Sequence, residues 1–405
     1  MSSSPDQSDA HLPEPGSPQS GLPPSGLRDP LIRATDRGLY CRDGDFYIDP
    51  WRTGGTSGTP GTAGTESPAI ARAIITHAHS DHAAPGCGSY LASPTCEPLL
   101  RARLGASIAA ESLAWGERRR IGDVIVSLHP AGHVLGSAQI RVEPLRATND
   151  NGGVWVVSGD YFHREPGADR AAPRPGAEPF EPVACDTFLT ESTFGLPIYR
   201  WPADGDVFAA INAWWRGNAA RGVTSVLYAY SLGKAQRVLL GVDPSIGPIA
   251  AHGSVLAMNA VYRECGVALP ECRPIVRETL PDLKGRALVI APPSAGGNAA
   301  WLRKLAGPAG SHAIDEAMAS GWMRVRGKRR WRSVATGFTI SDHADWPGLL
   351  AAIRATGASR VGVTHGSSAA LARWLSERGT PAFVVPTRYE GEVDTSDGAT
   401  EGGDA

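Results

Sequence analysis

No apolar run in this 405-residue chain is longer than a handful of residues, so no segment is long enough to span a bilayer. The opening residues, MSSSPDQSDAHLPEPGSPQSG, lack the basic start and apolar centre of a secretory signal, and the default expectation is a cytoplasmic location. Cysteine is sparse, with six residues at 41, 87, 96, 185, 265 and 272. None forms C-x-x-C or lies near a His pair at zinc-finger spacing, so reduced and mostly buried thiols are expected. Charge of one sign is also missing: the net charge is −2, and any attraction for phosphate has to be local. No internal repeat is visible. What remains is an ordinary globular composition, 42% hydrophobic, long enough for two domains.

Residues 1–28 are rich in Pro, Ser and Gly, and residues 391–405 form an acidic tail of similar character, so both ends are expected to be disordered. The stretch 54–67, GGTSGTPGTAGTES, reads as a flexible loop insertion. Between the tails, short β-rich runs alternate with helical stretches, which makes the class α/β. Leu39–Cys41 and Phe46–Ile48 flank a turn, as in a hairpin. Strands are expected at Ala73–Thr76, Asp123–Leu128, Gln139–Val142, Val154–Val157 and Asp186–Thr190. A different block runs from about 196 to 335, with strands at Ser225–Ala229 and Arg286–Ala291 and helices at Leu232–Leu240, Val255–Cys265 and Ala299–Leu305. Strand Thr336–Ile340, helix Trp346–Thr356, strand Arg360–Val363, helix Ser368–Arg378 and strand Ala382–Val385 complete the reading.

The run Thr76-His77-Ala78-His79-Ser80-Asp81-His82 places four metal-ligand types at the end of an expected strand. Alternation along extended backbone aims His77 and His79 the same way, and the following turn can bring Asp81 and His82 to a second position. Such ligands suit zinc, with manganese as the alternative. His133 sits in a glycine-bearing loop, Asp160 follows strand Val154–Val157, and His365 follows strand Arg360–Val363. Each alone could be an ordinary loop residue. Their common place, just past a strand's carboxyl end, is where α/β folds put chemistry, and a carboxylate at 160 could bridge two metals.

Together these residues resemble the metallo-β-lactamase superfamily, whose hallmark is H-x-H-x-D-H followed by a distant His, Asp and His. Glu191 in LTEST, His343 in SDHAD, and His365 resemble the extra motifs of the β-CASP nucleases, and YSLGKAQ at 230–236 looks like a helix of that group's inserted domain. The wording TESTFGLPIYRW and SDHADW is similar to the bacterial ligase-associated DNA damage response exonucleases, a family often confused with mRNA 3′-end processing factors. The resemblance implies an αββα four-layer sandwich from 29–195 and 336–390, with an inserted β-CASP α/β domain at 196–335. It further implies two divalent ions: His77, His79 and His133 on one, Asp81, His82 and His365 on the other, and Asp160 between them. Glu191 and His343 would form a hydrogen-bonded pair in which His343 protonates the leaving oxygen and Glu191 orients it. Asp81, Glu191 and His343 are thus the residues expected to carry catalysis.

The implied activity is phosphodiester hydrolysis in a nucleic acid, with DNA favoured, an exonuclease role in DNA repair, and a DNA ligase and helicase as working partners. No membrane partner is expected. Two features depart from that wording. The 54–67 insertion is atypical, and a His at 365 is usual for the RNA-processing branch, which keeps a ribonuclease as the main alternative. A small-molecule metallo-hydrolase has no need of the 196–335 block, and a non-catalytic scaffold has no need of a full ligand set. For substrate contact, the stretch 322–332, WMRVRGKRRWR, interleaves cations with Trp, and Arg329, Arg330, Trp331 and Arg332 are its best candidates. A solvated hairpin is the plain alternative. Lys234 and Arg237 on the insert helix, and the PSAGG loop at 293–297, are further candidates for phosphate. Arg118–Arg120 reads as a surface turn.

Overall fold

A computed structural model describes residues 27–51, 70–148, 150–164, 176–297, 299–307, 312–325 and 336–387. The 54–67 insertion, the 391–405 tail, all of the first tail but its last two residues, and Arg329, Arg330, Trp331 and Arg332 lie outside these residues. The fold is mixed α/β, with three sheets and eight α-helices among the described residues.

The first sheet has the order Ile32–Ala34, Leu39–Cys41, Phe46–Ile48, Ala73–Ile74, Tyr90–Ala92 and Ala110–Ser112. The expected hairpin is present, with Leu39 opposite Ile48 and Cys41 opposite Phe46. The second sheet has the order Ala382–Val384, Arg360–Thr364, Thr187–Glu191, Trp155–Val157, Ala138–Pro144, Val124–Pro130 and Arg119–Ile121. Its first four strands are parallel and the rest antiparallel.

Alternation along these strands builds the layers. Ile74, Trp155, Val157 and Leu189 point into one core shared by the two sheets, together with Phe46, Ile48, Val126 and Ile140. Their neighbours in sequence point outward. Ala73, Ile75 and Tyr90 pack on Leu99 and Leu100 of helix Cys96–Leu104 and on Tyr262 of helix Gly253–Glu264. Val156, Phe188 and Val361 pack on Leu349 and Ile353 of helix Trp346–Thr356 and on Leu371 of helix Ser368–Ser376. Each fully buried Ile, Leu or Phe contributes roughly 1.5–3 kcal/mol. Leu27, read as part of the tail, is buried in the core between the sheets.

The third sheet lies wholly within 224–338 and is parallel throughout, in the order Arg273–Pro274, Ile249–Ala251, Leu288–Ala291, Thr224–Tyr228, Ile314–Ala319 and Thr336–Phe338. It is apolar on both faces: Leu227, Leu288 and Ile290 enter one core, and Val226, Val289 and Met318 the other. Helix Asp204–Ala220 was not read from the sequence. Gly205 and Gly217 lower its local propensity, yet Val207, Ile211, Trp215 and Asn218 recur at helical spacing and are buried. Arg119–Ile121 is an edge strand paired with Val124–Val126, which corrects the reading of a turn there. The third sheet also gains Ile249–Ala251 and Ile314–Ala319, which the sequence reading left unassigned.

Candidate metal centre

Five strand ends deliver the ligand-type residues to one place. His77 follows Ala73–Ile74, Asp160 follows Trp155–Val157, Glu191 closes Thr187–Glu191, and His365 follows Arg360–Thr364. His133 sits in the turn between the antiparallel strands Val124–Pro130 and Ala138–Pro144. The approach of Asp160 depends on Gly159, whose φ is +55°; a Cβ there would meet the Thr76 side chain at 2.5 Å. His365 itself adopts a left-handed φ of 54°, and the Ser192 hydroxyl donates to the carbonyls of Thr364 and His365 on either side of it.

Three imidazoles converge on one point. His79 Nε2 donates to the Leu232 carbonyl at 3.1 Å, which leaves Nδ1 as the lone pair. His133 Nδ1 donates to the Asp342 carbonyl at 2.9 Å, which leaves Nε2. The Thr76 hydroxyl donates to Asp49 Oδ2 at 2.5 Å and therefore accepts from His77 Nδ1 at 3.1 Å, which leaves His77 Nε2. These tautomers follow from the partners. The three lone-pair nitrogens stand 2.9 Å (His77 to His79) and 3.2 Å (His79 to His133) apart. Lone pairs held that closely repel unless a cation lies among them. Nitrogens about 2.0–2.1 Å from a tetrahedral zinc ion are about 3.3 Å apart, so the donor set fits.

Asp160 belongs to every group of donors gathered here. His77, His79, His133 and Asp160 form one set with donor atoms within 4.8 Å of one another; His82, Asp160 and His365 form a second; Asp160, Glu191 and His343 form a third. Asp160 Oδ2 lies 3.4 Å from His82 Nε2, 3.7 Å from His77 Nε2 and 3.9 Å from His133 Nε2. Asp160 Oδ1 and His82 Nε2 are buried without a hydrogen-bond partner. An orphaned carboxylate oxygen and imidazole nitrogen facing one another's neighbourhood are costly in an apolar interior and suit a shared cation. His365 stacks on His82 with ring centroids 5.3 Å apart. Asp81 stands at the rim: its Oδ2 is 3.8 Å from His82 Nε2, it lines a cavity with His82, Asp160 and His365, and it falls outside the three tight sets.

Burial holds His77, His79, His133 and His365 below the ordinary imidazole value, which keeps them neutral as metal ligands must be. His82 behaves oppositely. Burial would lower it, but Asp160, Asp81 and Asp49 outweigh that and raise it well above the usual range. Burial would raise Asp160, but His82, His343 and His77 hold it well below the usual carboxylate range.

The Glu191 and His343 pair stands beside this cluster. His343 Nδ1 donates to Glu191 at 2.8 and 3.0 Å, and the Tyr161 backbone N–H donates to Glu191 Oε1 at 2.9 Å. The His343 ring lies 4.6 Å from that of His133. Sequence reasoning missed Asp49, which accepts from the backbone N–H of Thr76 at 2.7 Å, from the Thr76 hydroxyl, and from His82 Nδ1 at 2.7 Å. The signal was available, because Asp49 directly follows strand Phe46–Ile48, the same strand-end position that singled out Asp160 and His365. The carbonyls of Leu232 and Asp342 leave no such signal, being backbone atoms.

Lys234 and Arg237 lie on helix Lys234–Gly241 and are both buried. Lys234 Nζ sits 4.5 Å over the Tyr230 ring. Arg237 donates to Asp204 Oδ1 at 2.8 Å, to Asp342 Oδ1 at 3.3 Å and to the Ser341 carbonyl. All six cysteines are free thiols, with Cys41 and Cys96 buried and the other four partly so. No helix among the described residues is long and apolar enough to cross a membrane.

No family model matches the chain. Over 315 residues it is 31% identical to a protein of Opitutus terrae named "Probable DNA ligase", an alignment covering 78% of this chain and 28% of that protein. Over 229 residues it is 25% identical to an "RNase J-like protein" of Methanocaldococcus jannaschii, covering 49% of this chain and 51% of the relative. The chain therefore spans between about a quarter and a half of the length of these curated relatives. Among solved structures, a protein of unknown function from Enterococcus faecalis superposes with a TM-score of 0.52 at 12% identity, over 90% of this chain and 97% of that one, a likeness of fold alone. The chain is thus similar to proteins whose names describe work on nucleic acids, and it carries a buried His/Asp/Glu cluster that could hold metal ions.

Proposed function

We propose that this protein is a metal-dependent phosphodiesterase of the metallo-β-lactamase superfamily, β-CASP group, acting on nucleic acid. The observation that carries the proposal is the position of Asp160, whose one carboxylate lies between the His77, His79, His133 set and the His82, His365 set. In this reading the two sheets with helices on their outer faces are the αββα sandwich, built from 29–195 and 336–390, and 196–335 is the inserted domain. His77, His79 and His133 would hold one ion, His82, His365 and Asp81 the other, and Asp160 would serve both. Zinc suits the nitrogen-rich set, and manganese is the alternative.

Bound divalent ions supply Lewis acidity toward a phosphate ester and lower the pKa of water. The chain's own residues do the rest. The neutral imidazoles and Asp160 orient and compensate charge in a buried pocket. Glu191 accepts the Nδ1 proton of His343 and orients the ring. In the imidazolium form Nε2 carries a second proton, which it can pass to the departing oxygen, leaving the neutral Nδ1–H tautomer. Substrate binding is assigned to the basic stretch with Arg329, Arg330, Trp331 and Arg332, through phosphate neutralisation and base stacking.

DNA is the favoured substrate, in an exonuclease role alongside a DNA ligase and helicase, and the similarity to a chain named for DNA ligation supports this. RNA is the second reading, supported by the RNase J-like relative and by the His at 365, which the resemblance ties to the RNA-processing branch. A time course on matched end-labelled single-stranded DNA and RNA, with zinc or manganese added, separates the two. Shortening of DNA from one end supports the first reading, and cleavage of RNA alone supports the second.

A further inference from the structure

We propose that Arg237 is a positioning residue for the metal centre: it clamps the 341–342 backbone whose carbonyl fixes the His133 tautomer, in place of contacting substrate phosphate. The inference rests on the reading of the His77, His79 and His133 cluster as a metal site.

Arg237 bridges three segments that are remote in sequence. Its guanidinium donates to Asp204 Oδ1 at 2.8 Å, where Asp204 begins helix Asp204–Ala220. It also donates to Asp342 Oδ1 at 3.3 Å and to the Ser341 carbonyl. Arg164 donates to the same oxygen of Asp204, and the two guanidinium carbons stand 5.2 and 5.3 Å from the Phe162 ring centroid. The Arg237 side chain is 6% exposed and that of Asp342 3%. A planar fork whose two terminal nitrogens bind two carboxylates and a carbonyl inside the protein, with Nε alone lacking a hydrogen-bond partner among the described residues, is a structural clamp.

What the clamp holds is specific. The Asp342 carbonyl accepts His133 Nδ1–H at 2.9 Å, and this bond leaves His133 Nε2 as the lone pair facing His79. The rest of the loop has other anchors. Trp201 Nε1 donates to the His343 carbonyl at 2.8 Å, the Ala344 N–H donates to Tyr161, and Asp345 accepts from the Trp201 N–H. The Arg237 clamp therefore bears directly on His133 through the Asp342 carbonyl, while His343, whose N–H donates to the Ser341 hydroxyl at 3.1 Å, has these further anchors of its own. It also ties the 204–241 segment, which begins with Asp204 and carries Arg237, to the orientation of one metal ligand.

The experiment is a zinc titration of metal-stripped protein against a chelator, on the parent, Arg237→Lys and Asp342→Asn. Circular dichroism and thermal melts identify the temperature at which each is folded. Partners behind a metal ligand typically affect affinity by about 10–100-fold. Arg237→Lys keeps the charge but loses the fork, and is expected to weaken zinc binding within that range; Asp342→Asn reads the same clamp from its other side if Arg237→Lys does not fold. A folded variant that binds zinc as the parent does, with only the KM for oligonucleotide raised, overturns the clamp and returns Arg237 to phosphate binding. A parent that binds no zinc overturns the metal reading itself, and the clamp with it.

Discussion

The Asp49 carboxylate accepts the Nδ1 proton of His82 at 2.7 Å, and through its other contacts with Thr76 it holds the start of the loop that carries His77, His79, Asp81 and His82. The arrangement fixes the His82 tautomer, so that Nε2 faces Asp160. Asp49→Asn offers one acceptor where the carboxylate offers several, and sets an N–H₂ against one of three N–H or O–H donors. Metal affinity is expected to fall about 10–100-fold with the fold intact. Chelator competition checks this, and unchanged affinity in a folded Asp49→Asn protein removes Asp49 from the account.

His343→Ala is expected to keep the metal content of the parent and lose about 10²–10⁴ in cleavage rate. The metal sets that include His77, His79, His133, His82 and His365 do not use its side chain. The comparison is of kcat on an ordinary oligonucleotide with elemental analysis on the same preparation. Parental kcat would exclude His343 as the proton donor.

Stability of the metal-free protein should fall on acidification. Burial lowers the folded-state values of His77, His79, His133 and His365, so below the unfolded imidazole value of about 6.5 the unfolded chain binds more protons. The stability they contribute is present above that pH and is lost as pH drops below it. His82 is raised and opposes this, stabilising at low pH and losing its contribution as pH rises. Burial lowers His163 and His252 as well, so six groups against one give a net loss between about pH 7 and pH 5. Thermal melts of the stripped protein across that window check the sign; a melting temperature that rises on acidification contradicts it.

Much of this was legible in the sequence because the relevant information is local. Helix Trp346–Thr356 was read with the bounds it has, since Asp345 caps its first turn, Pro347 fits there, and Gly357 ends it in a left-handed conformation. The His77 to His82 loop announces itself because its ligands are contiguous. Asp49, by contrast, acts across a gap of 27 residues to Thr76 and 33 to His82. Arg237 looked like a helix-surface cation because nothing local shows its pairing with Asp204 and Asp342, 33 and 105 residues away. Helix Asp204–Ala220 went unread because two glycines mask an otherwise regular apolar spacing. Six of the seven second-sheet strands were placed to within a residue or two because their alternation is set by burial on two faces. The edge strand Arg119–Ile121 overlaps the run of three adjacent arginines at 118–120, has no such alternation, and read as a turn.

The central claim is that Asp160 is shared by two metal sites, and elemental analysis of the parent beside Asp160→Ala tests it most directly. Both proteins are purified without chelators and checked for folding. The account predicts about two divalent ions per parent chain and one or none in Asp160→Ala, with cleavage lost. A folded parent that carries no transition metal, or an Asp160→Ala protein that retains the parent's full complement, contradicts it.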